Sequence, residues 1–300
     1  MASSAPPRII QDILMDMQRL APSLEKTRRR YNMGMFFGVL LIVVIFYTIL
    51  EAVTGHSNVA SQALVIVIAF IPSFLLYKFM NRVYGKDVHK AFVDAVCLRG
   101  SLTYSQNGFF EAREVGSHRI LPDSSRSAAG EGIKGTYRDV TFTLQEISLK
   151  GKTGTTAFWG VVARIYLSHA FEAHTVILPR KALTPAARLR FPQWHKVTLP
   201  KKYEPLYEGL TTDTVEARAI APTAFVERVM DAGQLPSAKW MSVSFHKREL
   251  LIAYPRFRPL FAVPPLWQPV SAEAMQRCIW EVESIFQVID TIKLNPQIRT

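Results

Sequence analysis

The sequence predicts an α+β protein in which a two-helix transmembrane hairpin precedes one cytoplasmic domain with a mainly antiparallel sheet, an inserted helical pair and a C-terminal helix. Three observations carry this expectation. Two long apolar runs, Met33 to Val53 and Val59 to Phe79, stand close together near the N-terminus. Short segments of alternating apolar and polar residues follow one another from Ser101 to Leu199, the pattern of half-buried strands. The last stretch, Ala272 to Lys293, spaces Met275, Cys278, Val282, Ile285, Ile289 and Ile292 by three and four, the period of one helical face.

Each apolar run is about 20 residues long, enough at about 1.5 Å per residue to cross a hydrocarbon core of roughly 30 Å. Only Thr54-Gly55-His56-Ser57-Asn58 separates them, too short a loop to house a domain. A cleaved signal peptide would have a shorter apolar core nearer the N-terminus. A buried hairpin of a soluble protein would be striped rather than apolar on every face. Arg28-Arg29-Arg30 precedes the first run, and Lys78, Arg82, Lys86 and Lys90 follow the second, while the connecting loop has no Lys or Arg. The positive-inside rule then places both termini in the cytoplasm, as in a multi-pass protein of the bacterial inner membrane. No ionisable residue lies at mid-bilayer depth, which argues against ion or proton transport. Gly34 and Gly38 form a GxxxG, and Ala69 and Ser73 repeat a small-xxx-small spacing. These suit close helix approach, within the hairpin or between two copies.

Three regions follow: a cytosolic amphipathic helix over 1–30, the hairpin over 31–80 and the α+β domain over 90–300. In the first, Ile10, Ile13, Met17, Leu20 and Leu24 form a stripe that needs a cover. Packing on the head, a homodimeric coiled coil and the lipid surface are its three possible covers; packing on the head is the ordinary choice. The chain is basic, with 36 Lys and Arg against 24 Asp and Glu and a net charge of +12. Anionic lipid headgroups are the expected partner of a basic head tethered at a bilayer, and nucleic acid is the less expected one. The two cysteines, Cys97 and Cys278, have no CxxC spacing and give neither a disulfide framework nor a metal site.

In the head, a short helix over 88–98 leads to strands at Ser101–Ser105, Gly132–Asp139, Thr141–Lys150, Ala157–Leu167, Thr175–Pro179 and Lys196–Leu199. Leu121 to Gly130 is rich in Ser, Ala and Gly and is expected to be a loop. Asp213 followed by Glu216 has capping-box spacing, Pro222 suits the start of a second helix and Gly233 its end. Trp240–Phe245 and Leu250–Tyr254, around His246-Lys247-Arg248-Glu249, predict a hairpin.

The string Thr212-Asp213-Thr214-Val215-Glu216-Ala217-Arg218, continuing through Pro222 to Phe225-Val226-Glu227-Arg228, resembles the most recognisable stretch of the uncharacterised bacterial family known as domain of unknown function 3137. Gly135 with Glu146, Phe158-Trp159-Gly160, and Phe171 with Thr175 resemble its strand signatures, and the two-span anchor is its common layout. The family has no established activity. Its members are often encoded near LemA-type membrane proteins, so the resemblance implies a partner of that kind.

Motifs for catalysis are absent or poorly formed. Gly151-Lys152-Thr153 ends like a P-loop, but Glu146 stands where that motif needs Gly, and strand-like residues follow, so a β-turn is expected. His169, Glu172 and His174 form HxxExH, which matches neither arrangement of zinc proteases. No catalytic residue, metal ligand or cofactor is assigned. The chemically informative feature is the basic-aromatic stretch of Arg180, Lys181, Arg188, Arg190, Phe191, Trp194, Lys196, Lys201 and Lys202, which has no acidic residue within it. It is a candidate surface for membrane or acidic-partner binding, weighed evenly against an ordinary solvated loop. The expectation is a membrane-anchored binding or scaffolding module; the alternative is a membrane-bound hydrolase or transferase with dispersed catalytic residues.

Overall fold

The computed structural model describes residues 8–54, 59–220, 222–235, 238, 240–256, 259–277 and 279–294. The predicted interhelical turn at 55–58 and Cys278 lie outside them. The chain forms two compact units, Leu14–Ala95 with Phe261–Cys278, and Met1–Ile13 with Val96–Leu260 and Ile279–Thr300.

The first unit is built on two long helices, α1 (Arg8–Thr54) from Leu14 onward and α2 (Val59–Gly100) up to Ala95. The amphipathic N-terminal segment and the first apolar run are one unbroken helix, with Pro22 inside it. Of the amphipathic stripe, Ile10, Ile13, Met17 and Leu24 are buried rather than free. One helix among the described residues, within Ile10–Ala52, is long and apolar enough to cross a membrane; none of its most apolar window is buried, and mean hydropathy there is 2.6. The side chains of 59–66, the start of the second predicted span, are outside the described set.

The helices run antiparallel, and the GxxxG glycines lie between them. Gly34 faces Met80, and a Cβ on Gly38 would sit 2.6 Å from Leu76 Cδ2. Tyr31 donates to Asp87 at 2.6 Å and meets the Tyr84 ring edge-on. The proline-rich segment after Phe261 returns to these helices. The Leu266 N–H donates to Asn81 Oδ1 at 2.8 Å, and its carbonyl accepts from Arg28 at 3.0 Å and Asn32 at 3.3 Å. Its neighbour Trp267 is exposed.

The second unit is a seven-stranded antiparallel sheet. β1 (Thr103–Ser105), β2 (Arg126–Tyr137), β3 (Val140–Lys150) and β4 (Thr156–Pro179) follow in order. After the short α3 (Pro185–Arg188) come β5 (His195–Val197) and β6 (Tyr207–Thr211). α4 (Thr214–Ile220) and α5 (Thr223–Ala232) precede β7 (Ser242–Pro255). β3 pairs with the first half of β4, β6 with its second half, and β7 with both.

Three expectations are corrected. The two predicted strands 157–167 and 175–179 are one strand, β4, whose polar Ser168 to His174 stretch is absorbed as register shifts against β7. The predicted hairpin at 246–249 is the matching irregularity in a single strand, with Lys247 at φ +53°. The 126–130 part of the predicted loop is strand, because β3 supplies backbone partners from Lys150 to Ile147 that composition cannot reveal. β6, fully buried, was not expected as a strand.

Asp213 caps α4 as its spacing predicts, accepting the N–H groups of Val215 at 2.7 Å and Glu216 at 3.2 Å. Glu216 does not complete the box. Its carboxylate instead accepts the N–H groups of Glu172 and Ala173, which the irregularity of β4 leaves without a ladder partner. The Gly151 turn closes β3 to β4, with Gly154 at φ +77°. The predicted final helix is two helices, α6 (Ala272–Arg277) and α7 (Trp280–Lys293). In α7, Val282, Ile285, Phe286, Ile289 and Ile292 are buried, and α5 packs against the helix.

Candidate ligand-binding site

A cavity of 790 Å³ lies in the sheet unit, within the range of about 300–1,000 Å³ typical of small-molecule sites. Its described lining is mainly apolar and includes Ile120, Phe158, Leu178, Leu183, Phe191 and Trp240. β4 supplies Phe158 from one end and Leu178 from the other. Thr184 then caps the turn of α3, accepting the Ala187 N–H at 3.2 Å with Pro185 at the first helical position, and this places Ala187 on the cavity wall. Arg256 lines the wall too; it is buried and paired with the buried Glu281 of α7. Such a pair offsets two desolvated charges, and losing either partner leaves the other uncompensated.

Beside the cavity is a cleft of 670 Å³, where Arg113, Arg119, Arg126 and Arg190 stand against one acid, Asp123. Pro122 and Arg190 line both spaces. Two segments, 119–122 and 187–192, contribute to both spaces, with Ile120, Ala187 and Phe191 lining the cavity and Leu121, Leu189 and Pro192 the cleft. They are stapled reciprocally. Arg119 Nη1 donates to the Arg190 carbonyl at 2.5 Å, and Arg190 Nη2 donates to the Arg119 carbonyl. Arg119 is in the left-handed region at φ +57°. Among the described residues neither guanidinium has an ion-pair partner, although Arg113 pairs with Glu111 at 2.7 Å. Burial pulls the Arg190 guanidinium below its usual pKa, and the charge of Arg119 pulls the same way while Asp123 opposes both.

Behind Trp194 sits a buried polar cluster. The Trp194 ring meets His174 at 4.8 Å, His174 stacks on His246 at 4.2 Å, and His118 lies edge-on to both. His174 Nε2 is 3.1 Å from the His118 carbonyl, and since a carbonyl only accepts, Nε2 carries the proton. Burial, reinforced by the two neighbouring imidazoles, lowers the His174 pKa to about 3, and burial with the charges of His118 and Lys247 lowers that of His246. Burial opposes ionisation of Glu249, but hydrogen bonds from His118 and Arg164 outweigh it and hold its carboxyl at about 2.

Ser244, His118 and Glu249 form a line of 3.0 Å contacts with the order of a nucleophile, base and carboxylate. Ser244 is 0% exposed and also contacts His174, so no substrate carbonyl can reach its hydroxyl. The cluster ties the turn at Gly116–His118 to β4 and β7. Among the described residues no group of three His, Cys, Asp or Glu is placed to hold a metal ion.

The basic-aromatic stretch is divided by the fold. Arg190 and Phe191 form part of the cavity wall, and Lys181 sits 2.9 Å from the centre of the Trp240 ring. Trp194 packs against the core. Arg188 makes a bidentate pair with the buried Glu208 at 2.7 and 2.9 Å, and Arg180 and Lys196 approach the same carboxylate at 3.6 and 3.9 Å. Lys202 pairs with Asp231, and Lys201 is exposed. The acids that neutralise the stretch come from β6 and α5. Sequence reasoning missed Arg113, Arg119, Arg126 and the apolar lining other than Phe191, which converge from several segments with no shared motif.

Residues 156–294 match the model of the family described as "Protein of unknown function (DUF3137)". No curated protein matches the chain. Among solved structures, the crystal structure of the mycobacterial trehalose monomycolate transport factor A, TtfA, is similar at TM-score 0.39 and 9% identity, covering 69% of this chain and 94% of that one.

Proposed function

We propose, from the match of residues 156–294 to the DUF3137 family model, that the chain is a membrane-anchored module whose sheet domain binds a small ligand. The observation that carries this reading is the 790 Å³ apolar cavity. Left empty, that much apolar wall forfeits contacts that packed cores retain. α1 and α2 are proposed to cross the bacterial inner membrane as a hairpin with both termini cytoplasmic. The exposure of Phe70, Ile71, Leu75 and Phe79 on α2 supports the second span. The basic residues not held by Glu208 or Asp231, and a LemA-type or second-copy partner, belong to the same tethering scheme. A hydrolase acting through Ser244 is disfavoured by that residue's burial.

The test uses the full-length chain in amphipol with a dansyl-labelled alkyl probe. Saturable fluorescence is expected, together with its loss in Ala187→Trp, which fills the cavity, at an unchanged melting temperature. Equal, non-saturating partitioning into both proteins would overturn the reading.

A further inference from the structure

We infer that the ligand is an anionic amphiphile with a single apolar chain, its chain in the cavity and its carboxylate or phosphate head among Arg119, Arg190 and Arg126. The inference rests on the cavity reading above and adds the head-group chemistry.

The geometry supplies both halves. An apolar space and a basic cleft adjoin, and Pro122 and Arg190 line both. A neutral lipid or hydrocarbon would fill the first and leave the second unexplained. With Arg113 paired to Glu111, the cleft still sets Arg119, Arg126 and Arg190 against one aspartate, a positive potential that favours an entering anion. The reciprocal staple fixes Arg119 and Arg190 by one N–H each to a main-chain carbonyl, which pre-orients both forks. A guanidinium has five donors, so donors remain for an oxyanion. Planar forks suit carboxylate and phosphate through paired, charge-assisted hydrogen bonds. A head group that brings its own negative charge also relieves the electrostatic cost of holding half-buried Arg190 beside Arg119.

The probe-displacement experiment separates this from the cavity reading. Laurate, dodecyl phosphate and dodecanol share one chain and differ in the head, and inorganic phosphate is a head without a chain. Laurate or dodecyl phosphate should displace the probe at concentrations about tenfold or more below dodecanol, the gain expected of charged hydrogen bonds; whichever of the two is tighter identifies the oxyanion. Arg190→Gln should erase that advantage while dodecanol still competes. Because Arg190 also staples the 119–122 and 187–192 segments, Arg126→Glu is the second variant: its side chain is exposed on β2, and it should weaken the acids with the fold intact. Equal displacement by all three chains, unaffected by either variant, would overturn the acidic head while leaving the cavity reading standing. Protection of the chain against thermal unfolding by inorganic phosphate as strong as that by dodecyl phosphate would show a site for free anions and overturn the amphiphile. Failure of the alkyl probe itself to bind would remove both readings.

Discussion

At the residue scale, charges are settled by partners distant in sequence. Glu208 collects Arg188, Arg180 and Lys196, so a run that reads as a free cationic surface is largely paired. Lys181 and Lys201 are exposed without an ion pair among the described residues, whereas Arg190 is half-buried without one, and that burial is what marks it. His174 shows how burial becomes a pH dependence. Above about 6.5 its ring is neutral in both folded and unfolded chains; below that, the unfolded ring takes a proton that the buried ring refuses until about 3. Stability is therefore lost as pH falls through this window, by at most about 1.4 kcal/mol per pH unit for this group. Glu249 adds to the loss as the pH falls below its ordinary range. The melting temperature of the full-length chain should drop between neutral pH and about pH 5, and His174→Gln, which keeps a donor but cannot titrate, should flatten that slope. An equally steep slope in the variant would place the titration elsewhere.

At the element scale, the sequence was informative wherever a local rule decides the outcome. Asp213 at an N-cap, Gly233 closing α5 on the Val229 carbonyl and the buried seam of α7 all follow from residues within a turn or two. The long strands did not follow. The polar interruption of β7 at His246 to Glu249 looks like a turn, and only the matching irregularity of β4 keeps it in the ladder. β6 was hidden because its Tyr207, Glu208 and Gly209 have no strand alternation, Glu208 being buried through its ion pairs. Nor did periodicity reveal the strap that joins Leu266 to Asn32 and Asn81, the residues bordering the two apolar runs. If those runs span the bilayer, this strap sets exposed Trp267 at headgroup depth, where Trp is favoured. In bilayers containing lipid brominated near the headgroup, tryptophan quenching should fall in Trp267→Ala; identical quenching would contradict that placement.

At the scale of the whole molecule, the sequence predicts an anchor and a basic α+β head but not the cavity, because its walls are short stretches drawn from the 119–122 loop, both ends of β4, the α3 turn and both ends of β7. Of the candidate residues, Arg190 and Phe191 belong to it, reached through their charge and aromatic character rather than through any sign of concavity. Anchoring and ligand capture together are the central claim. The most direct measurement is photo-crosslinking of the full-length chain in nanodiscs with a laurate carrying a diazirine on its chain, followed by mapping of the labelled peptides. Labels are expected on the segments bearing Phe158, Leu178, Leu183 and Phe191, and are expected to vanish in Ala187→Trp. Labels confined to the apolar faces of α1 and α2, with none in the sheet domain, would contradict the claim.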